Sequence, residues 1–241
     1  MLDHVTIRVA DRDASRRFYS TVLGEPSYSD DDFDEWQDFG VVASDVTHPV
    51  TRHLHIAFAA VSRDDVDAFW QRGVDAGYAS DGEPGLRPQY TADYYGAFLL
   101  DPDGNSVEAV HRPGRTEQGS PIDHLWLGVA DLAASRSFYE TVAAVLGVDV
   151  GEGRLPGYVF VARNRRHIAL IADGRAPSAN VHLAFPVTSD EAVAEFHRVA
   201  LAAGYRDNGA PGERAQYHAG YVGAFVLDPD GNNIEAVNHN R

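Results

Sequence analysis

Apolar and polar positions alternate along residues 4–9: Val5, Ile7 and Val9 fall on one side of an extended chain, His4, Thr6 and Arg8 on the other. Such alternation marks a strand with one buried face, because successive side chains point to opposite faces. Residues 124–129 carry a second short strand pattern of aliphatic positions. Asp11 and Asp131 follow as helix N-caps, and the helices behind them, carrying Phe18-Tyr19 and Phe138-Tyr139, end near Gly24 and Gly147. Strand patterns return at residues 36–43 in the first half, and at 158–162 and 167–172 in the second. The last strands of each half, 96–100 with 106–110 and 223–227 with 233–237, are joined each time by Asp-Pro-Asp-Gly-Asn. Pro102 and Pro229 preset φ, and Gly104 and Gly231 accept positive φ, so the joint reads as a hairpin turn. Its oxygen-ligand pattern is incomplete for a calcium loop.

These patterns occur twice. DHVTIRVADRDASRRFYSTV at 3–22 returns as DHLWLGVADLAASRSFYETV at 123–142, and residues 89–110 return as 216–237. A repeat of half the chain marks a duplicated structural unit and fixes equivalent positions. A fainter copy lies inside each half. Adding 51 takes His4, Phe18 and Tyr19 to His55, Phe69 and Trp70, and adding 58 takes His124 and Phe138 to His182 and Phe196. The expectation is an α+β protein of four β-α-β-β-β modules, paired as domains 1–112 and 122–241. The polar stretch 113–121, rich in Pro and Gly, would be the linker.

With 241 residues, 44% of them apolar, the chain can bury two ordinary cores. Its formal net charge of −16 disfavours a phosphate backbone as partner, so no nucleic acid is expected. The chain has no cysteine, which rules out disulfides and thiolate metal sites. A strand pattern from residue 3 leaves no room for a signal peptide, and no apolar run reaches spanning length, so the expectation is a cytoplasmic protein without a membrane partner.

Six side chains carry candidate chemistry. His4, His55 and Glu108 map onto His124, His182 and Glu235. Parity keeps each off the aliphatic face: His4 is opposite Val5, His55 opposite Ile56 and Phe58, Glu108 opposite Val107 and Ala109, and the second half repeats this division. Two imidazoles and one carboxylate suit a divalent metal such as Fe²⁺, Mn²⁺, Zn²⁺ or Ni²⁺, with positions left for water or substrate. A single carboxylate leaves such a centre cationic, which favours anionic oxygen ligands. A lone histidine at a strand start is ordinarily structural, and a lone glutamate after a hairpin ordinarily solvated; three on compatible faces make the metal reading. His53 shares the face of His55, but its counterpart is Asn180, so His55 is preferred. His48, His111, His167, His197 and His239 read as surface or structural residues. Arg8, Trp126, Gln89, Gln216, Tyr90 and Tyr217 are candidate substrate contacts, and Trp126, Tyr217 and Tyr221 are candidates to stack on a planar ligand. Thr6 and Arg8 become Trp126 and Gly128 in the second half, so the two cavities should differ in bulk and charge.

The openings DHVTIRVAD and DHLWLGVAD and the endings GAFLLDPDGNSVEAV and GAFVLDPDGNNIEAV resemble the vicinal oxygen chelate superfamily. That superfamily includes glyoxalase I, fosfomycin and bleomycin resistance proteins and extradiol dioxygenases. The resemblance spans nearly the whole chain and implies paired modules whose mixed sheets curl round cavities, with metal ligands at the six positions above. Glyoxalase I uses a further carboxylate from the last strand of its leading module, but GVVAS and HIALI offer no acid at their centres, which argues against the isomerase reaction. Extradiol dioxygenases rely on a tyrosine in the strand approaching the glutamate; Phe98 and Phe225 stand there instead. Tyr94 and Tyr221, or His218 in the second half, are candidate proton donors from the preceding loop. No dense Lys/Arg/Ser set is present for a phosphonate.

The expected function is thus a metal-dependent enzyme that chelates adjacent oxygens of a small organic substrate, with extradiol-type ring cleavage as its first specific form. The alternative is a protein that sequesters an aromatic antibiotic or pigment without turnover. A third reading keeps one metal site of the tandem for structure. The tandem should form an intramolecular pseudo-dimer, with further self-association open. Also open is whether each trio stays within its own half or exchanges modules, pairing His4 with His182 and Glu235.

Overall fold

The computed structural model describes residues 1–113, 121–153, 157–163 and 166–241, so most of the expected linker lies outside the described residues. The order is four times β-α-β-β-β. The first module is β1 (His4–Val9), α1 (Arg12–Leu23), β2 (Tyr28–Ser29), β3 (Phe33–Trp36) and β4 (Phe39–Ala43). The second is β5 (Leu54–Ala59), α2 (Arg63–Asp75), β6 (Ser80–Leu86), β7 (Tyr95–Leu100) and β8 (Ser106–His111). The third is β9 (Ile122–Gly128), α3 (Leu132–Leu146), β10 (Asp149–Glu152), β11 (Tyr158–Arg163) and β12 (Arg166–Ile171). The fourth is β13 (His182–Pro186), α4 (Asp190–Ala202), β14 (Arg206–Glu213), β15 (Val222–Leu227) and β16 (Asn233–Asn238). These strands form two mixed eight-stranded sheets. No described helix is long and apolar enough to cross a membrane.

Local chemistry explains the element ends. The Asp11 carboxylate accepts from the Ala14 N–H, and that of Asp131 from Ala133 and Ala134, satisfying donors that the first helical turn leaves orphaned. Gly24 (φ 94°) and Gly147 (φ 63°) close the same helices in conformations that a side chain would oppose. The run 36–43 expected as one strand segment instead spans a hairpin, β3 to β4, with Gln37 at φ 60° in the turn. Strands β6 and β14 escape the sequence pattern altogether. SDGEPGL and RDNGAPGE lack an apolar face, contain proline and carry register shifts, as bulged edge strands do.

The fold condenses into two compact units whose boundaries differ from those of the repeat: Ile7–Leu125 forms one, and Met1–Thr6 with Trp126–Arg241 forms the other. Strands β1 and β9 each begin in one unit and end in the other. In the Ile7–Leu125 unit, the start of β9 lies beside β5, followed by β8, β7 and β6; β5 and β8 are parallel, with Ala57 opposite Glu108. In the other unit the start of β1 lies beside β13, followed by β16, β15 and β14, with Ala184 opposite both His4 and Glu235. The aliphatic face of β1 is buried, with Val5, Ile7 and Val9 fully so, as are Phe18 and Tyr19 of α1 and Phe138 and Tyr139 of α3. The opposite faces are left for His4 and its equivalents.

One divergence between the copies gives a stability test. The buried Tyr19 hydroxyl donates to Asp101 Oδ2 at 3.0 Å, whereas the equivalent Tyr139 hydroxyl is buried without a hydrogen-bond partner among the described residues. Tyr19→Phe should cost about 1.5–3 kcal/mol, the worth of a bond to a charged group, while Tyr139→Phe should be neutral or stabilising, since it removes an unmatched donor. Urea unfolding of the two variants reads the contrast; equal losses would refute it.

Candidate metal centre

Strand parity and pairing bring the six ligand candidates into two trios, each inside one compact unit. His4, His182 and Glu235 form one, and His55, His124 and Glu108 the other; within each trio the donor atoms lie within 4.8 Å of one another. The exchanged arrangement is therefore the one adopted, because β1 pairs with β13 rather than with a strand of its own half in that unit. In the first trio His182 Nε2 is 3.0 Å and His4 Nε2 3.7 Å from Glu235 Oε2. In the second, His55 Nε2 is 3.1 Å and His124 Nε2 3.5 Å from Glu108 Oε2. Donors bound at about 2.1 Å to one cation at tetrahedral or octahedral angles stand about 3.0–3.4 Å apart, so these spacings suit a shared divalent ion.

The remaining atoms of each ligand are held by other groups. Tyr221 donates to Glu235 Oε1 at 2.8 Å and Tyr94 to Glu108 Oε1 at 2.7 Å, leaving Oε2 to face the imidazoles. Burial, and then the charge of the glutamate, raise both phenols far above their ordinary range, so each stays a donor. His4 Nδ1 lies 2.8 Å from Asp3 Oδ2, and His124 Nδ1 2.7 Å from Asp123 Oδ1. A carboxylate at Nδ1 orients an imidazole and enriches its other nitrogen, which is the usual outer support of a metal ligand. His55 Nδ1 meets Ser106 Oγ at 3.1 Å, and His182 Nδ1 meets the Asn233 amide at 2.6 Å. Gly96 and Gly223 complete each floor: a Cβ there would meet Glu108 Oε1 at 2.4 Å or Glu235 Oε1 at 2.5 Å.

Electrostatically the two trios differ. Burial drives the His124 imidazole down to about 3, helped by His55 and Arg112 and opposed by Glu108. For Asp3, burial alone would raise the carboxyl, but hydrogen bonds and charge from His4 and His239 bring it below its ordinary value. The His124 shift has a sign that can be checked. A folded-state value below the unfolded one gives stability present above about pH 6.5 and lost as pH falls toward 3, since the unfolded chain takes up a proton that the fold refuses. In metal-free protein, His124→Asn should therefore flatten the decline of stability across that window by up to about 1.4 kcal/mol per pH unit, one proton's worth. Thermal unfolding of both proteins from pH 7 to pH 4 measures it, and parallel curves would refute it.

Other candidates fall at varying distances from this chemistry. Tyr94 and Tyr221 stand in the loop just before β7 and β15, as expected, and are buried against the glutamates themselves. His218 is not on its trio: its Nδ1 meets the Ala219 carbonyl and its Nε2 His239 Nδ1 at 2.8 Å. Tyr90 and Tyr217 pack on Tyr94 and Tyr221, Tyr217 remaining 63% exposed. Gln89 and Gln216 are exposed. Arg8 reaches toward the Ala43 carbonyl at 3.4 Å, and Trp126 stands edge-on to Tyr158. His53 and its equivalent Asn180 both sit at positive φ in the turn before a strand, which explains their residue types and leaves His55 and His182 as the inward donors. Sequence reasoning missed Asp3, Asp123, Arg112 and His239. The Asp-His pair repeated at 3–4 and 123–124 was the available signal.

Comparison with known proteins agrees with this fold. The family model for the Glyoxalase/Bleomycin resistance protein/Dioxygenase superfamily matches residues 1–109 and again 121–236, and the chain belongs to that family. Glyoxalase I from Zea mays superposes with a TM-score of 0.70 at 19% identity, over 100% of this chain and 92% of that one. A putative dioxygenase from Bacillus subtilis subsp. subtilis str. 168 does so at 0.65 and 15% identity, over 100% and 85%. At these identities the likeness is one of fold. Comparison with curated proteins returns no match.

Proposed function

We propose that the protein is a metal-dependent enzyme of small-molecule metabolism whose His-His-Glu trios hold a divalent cation, Fe²⁺, Mn²⁺, Zn²⁺ or Ni²⁺, and present it to adjacent oxygens of an organic substrate. The observation that carries this reading is the convergence, in both units, of two Nε2 atoms and one Oε2 whose other polar atoms are held by separate partners. When bound, the cation would supply Lewis acidity to two neighbouring substrate oxygens. The residues do the rest. Tyr221 and Tyr94 keep their protons and fix each glutamate by Oε1; Asp3 and Asp123 fix the tautomer of His4 and His124 so that Nε2 keeps its lone pair. Each trio has one carboxylate, and β4 and β12 add no acid to either among the described residues, which weighs against the isomerase reaction and leaves open positions for a chelating substrate. Ring-cleaving dioxygenation of a vicinal diol on an aromatic ring is the first specific reaction of this reading.

Metal analysis of protein purified without chelators, followed by oxygen-uptake assays with 1,2-dihydroxybenzenes after Fe²⁺ or Mn²⁺ addition, tests it. Stoichiometric metal with oxygen uptake supports the reading. Protein that carries no metal and takes up none on addition sinks it. Binding of an aromatic ligand without turnover, unchanged by Glu235→Gln, would point to sequestration instead.

A further inference from the structure

Residues 112 and 239 are equivalent in the repeat, and they give the two trios different electrostatic backing. In the Ile7–Leu125 unit, Arg112 pairs with Asp123 through Oδ1, the same oxygen that lies 2.7 Å from His124 Nδ1. Its guanidinium nitrogen also stands 3.4 Å from that imidazole nitrogen, and it stacks 5.1 Å over the Tyr94 ring that holds Glu108. In the other unit the same place against Tyr221 is taken by His239, at 5.2 Å between ring centroids. Here Asp3 divides its oxygens: Oδ2 serves His4 and Oδ1 serves His239, each at 2.8 Å.

Resting on the metal reading above, we propose that Arg112 weakens its own trio for divalent cations, so that His4, His182 and Glu235 form the tighter and more accessible site. Three effects point the same way. A guanidinium drawing on the one oxygen that polarises His124 lowers the electron density which that carboxylate lends to Nε2. A permanent positive charge, with the Arg112 side chain only 17% exposed, repels an incoming dication with little solvent screening. Access differs as well: the side chains of His4 and His182 are each 22% exposed, against 11% for His55 and 2% for His124. One substitution runs in the opposite sense. Ser106, which backs His55, donates to the Asp81 carboxylate, whereas Asn233, which backs His182, meets the neutral Asn208. Asp81 is exposed and acts through an intervening hydroxyl, so solvent screens it more than the half-buried Arg112, which dominates.

Metal-free full-length protein titrated with Mn²⁺, with free ion followed by electron paramagnetic resonance, tests the proposal. Expected are two classes of site at least about tenfold apart, within the range by which outer partners alter metal affinity. Glu235→Gln should remove the tight class and Glu108→Gln the weak one. Arg112→His should tighten the weak class about tenfold, Arg112→Lys should leave it weak because the charge is kept, and His239→Arg should loosen the tight class in the other unit. Two classes of equal affinity, loss of the tight class in Glu108→Gln, or an Arg112→His protein with wild-type binding would overturn it while leaving the metal reading intact. Absence of Mn²⁺ binding at both sites, together with no uptake of Fe²⁺, Zn²⁺ or Ni²⁺, would overturn the metal reading itself.

Discussion

Glu235→Gln is expected to abolish divalent-metal uptake by the His4, His182 and Glu235 trio, with a loss of at least about a hundredfold, because the substitution removes the trio's only anionic donor while keeping its shape. The metal-free protein should fold as well as before or better. Glu235 is 1% exposed, and its charge is held by a phenol and imidazoles rather than by a guanidinium, so a neutral amide relieves an ion that burial disfavours. Linkage adds a second readout. Metal that binds only the folded chain, at a hundred times its dissociation constant, stabilises by about 2.7 kcal/mol per site, which corresponds to about 5–10 °C in Tm for a chain of this size. Wild-type protein should show that rise on Mn²⁺ addition, and the share due to the Glu235 site should vanish in the variant. A variant that still gains the full wild-type rise would show that the carboxylate holds no metal.

Gly223→Ala is the second large effect, and it changes no ligand. The backbone at Gly223 is not in the left-handed region, so alanine meets no conformational barrier there; the obstacle is a Cβ placed 2.5 Å from Glu235 Oε1 and 3.3 Å from the Tyr221 ring. The carboxylate must rotate away from the Tyr221 hydroxyl, and Oε2 moves with it. Metal affinity at that trio should fall at least about tenfold, at a stability cost of about 1–3 kcal/mol typical of overpacking. Gly96→Ala, whose Cβ would come 2.4 Å from Glu108 Oε1, should do the same to the other trio and leave this one alone. Calorimetric titration of both variants decides the matter; unchanged affinity in both would mean that the glutamate is not pinned where the structure has it.

Much of this architecture was legible in the chain. Alternation placed His4 and its equivalents opposite the aliphatic face, and the N-caps Asp11 and Asp131 and the Asp-Pro-Asp-Gly-Asn turns mark where elements begin and reverse. Such signals are local, readable from neighbours one to four residues away. Strands β6 and β14 were not legible, because edge strands bury neither face and so impose no period on their residues. The roles of Asp3 and Asp123 were only half visible: the repeat preserves the Asp-His pair, but nothing in the pair says that the carboxylate turns back onto its own neighbour's ring.

By itself, then, the sequence determined which side chains face inward, how the modules repeat and which residues offer metal-donor chemistry, since all of these follow from backbone parity and turn stereochemistry. Tertiary structure alone decided which histidine meets which glutamate. Strands β1 and β9 carry nearly the same pattern, so either would satisfy the edge of β5 or β13. Only pairing across 180 residues, with His4 opposite Ala184 in β13, puts His4 beside Glu235, and only β9 lying beside β5 puts His124 beside Glu108. Folding also set Arg112 against one trio, over 11 residues to Asp123, and His239 against the other, over 236 residues to Asp3.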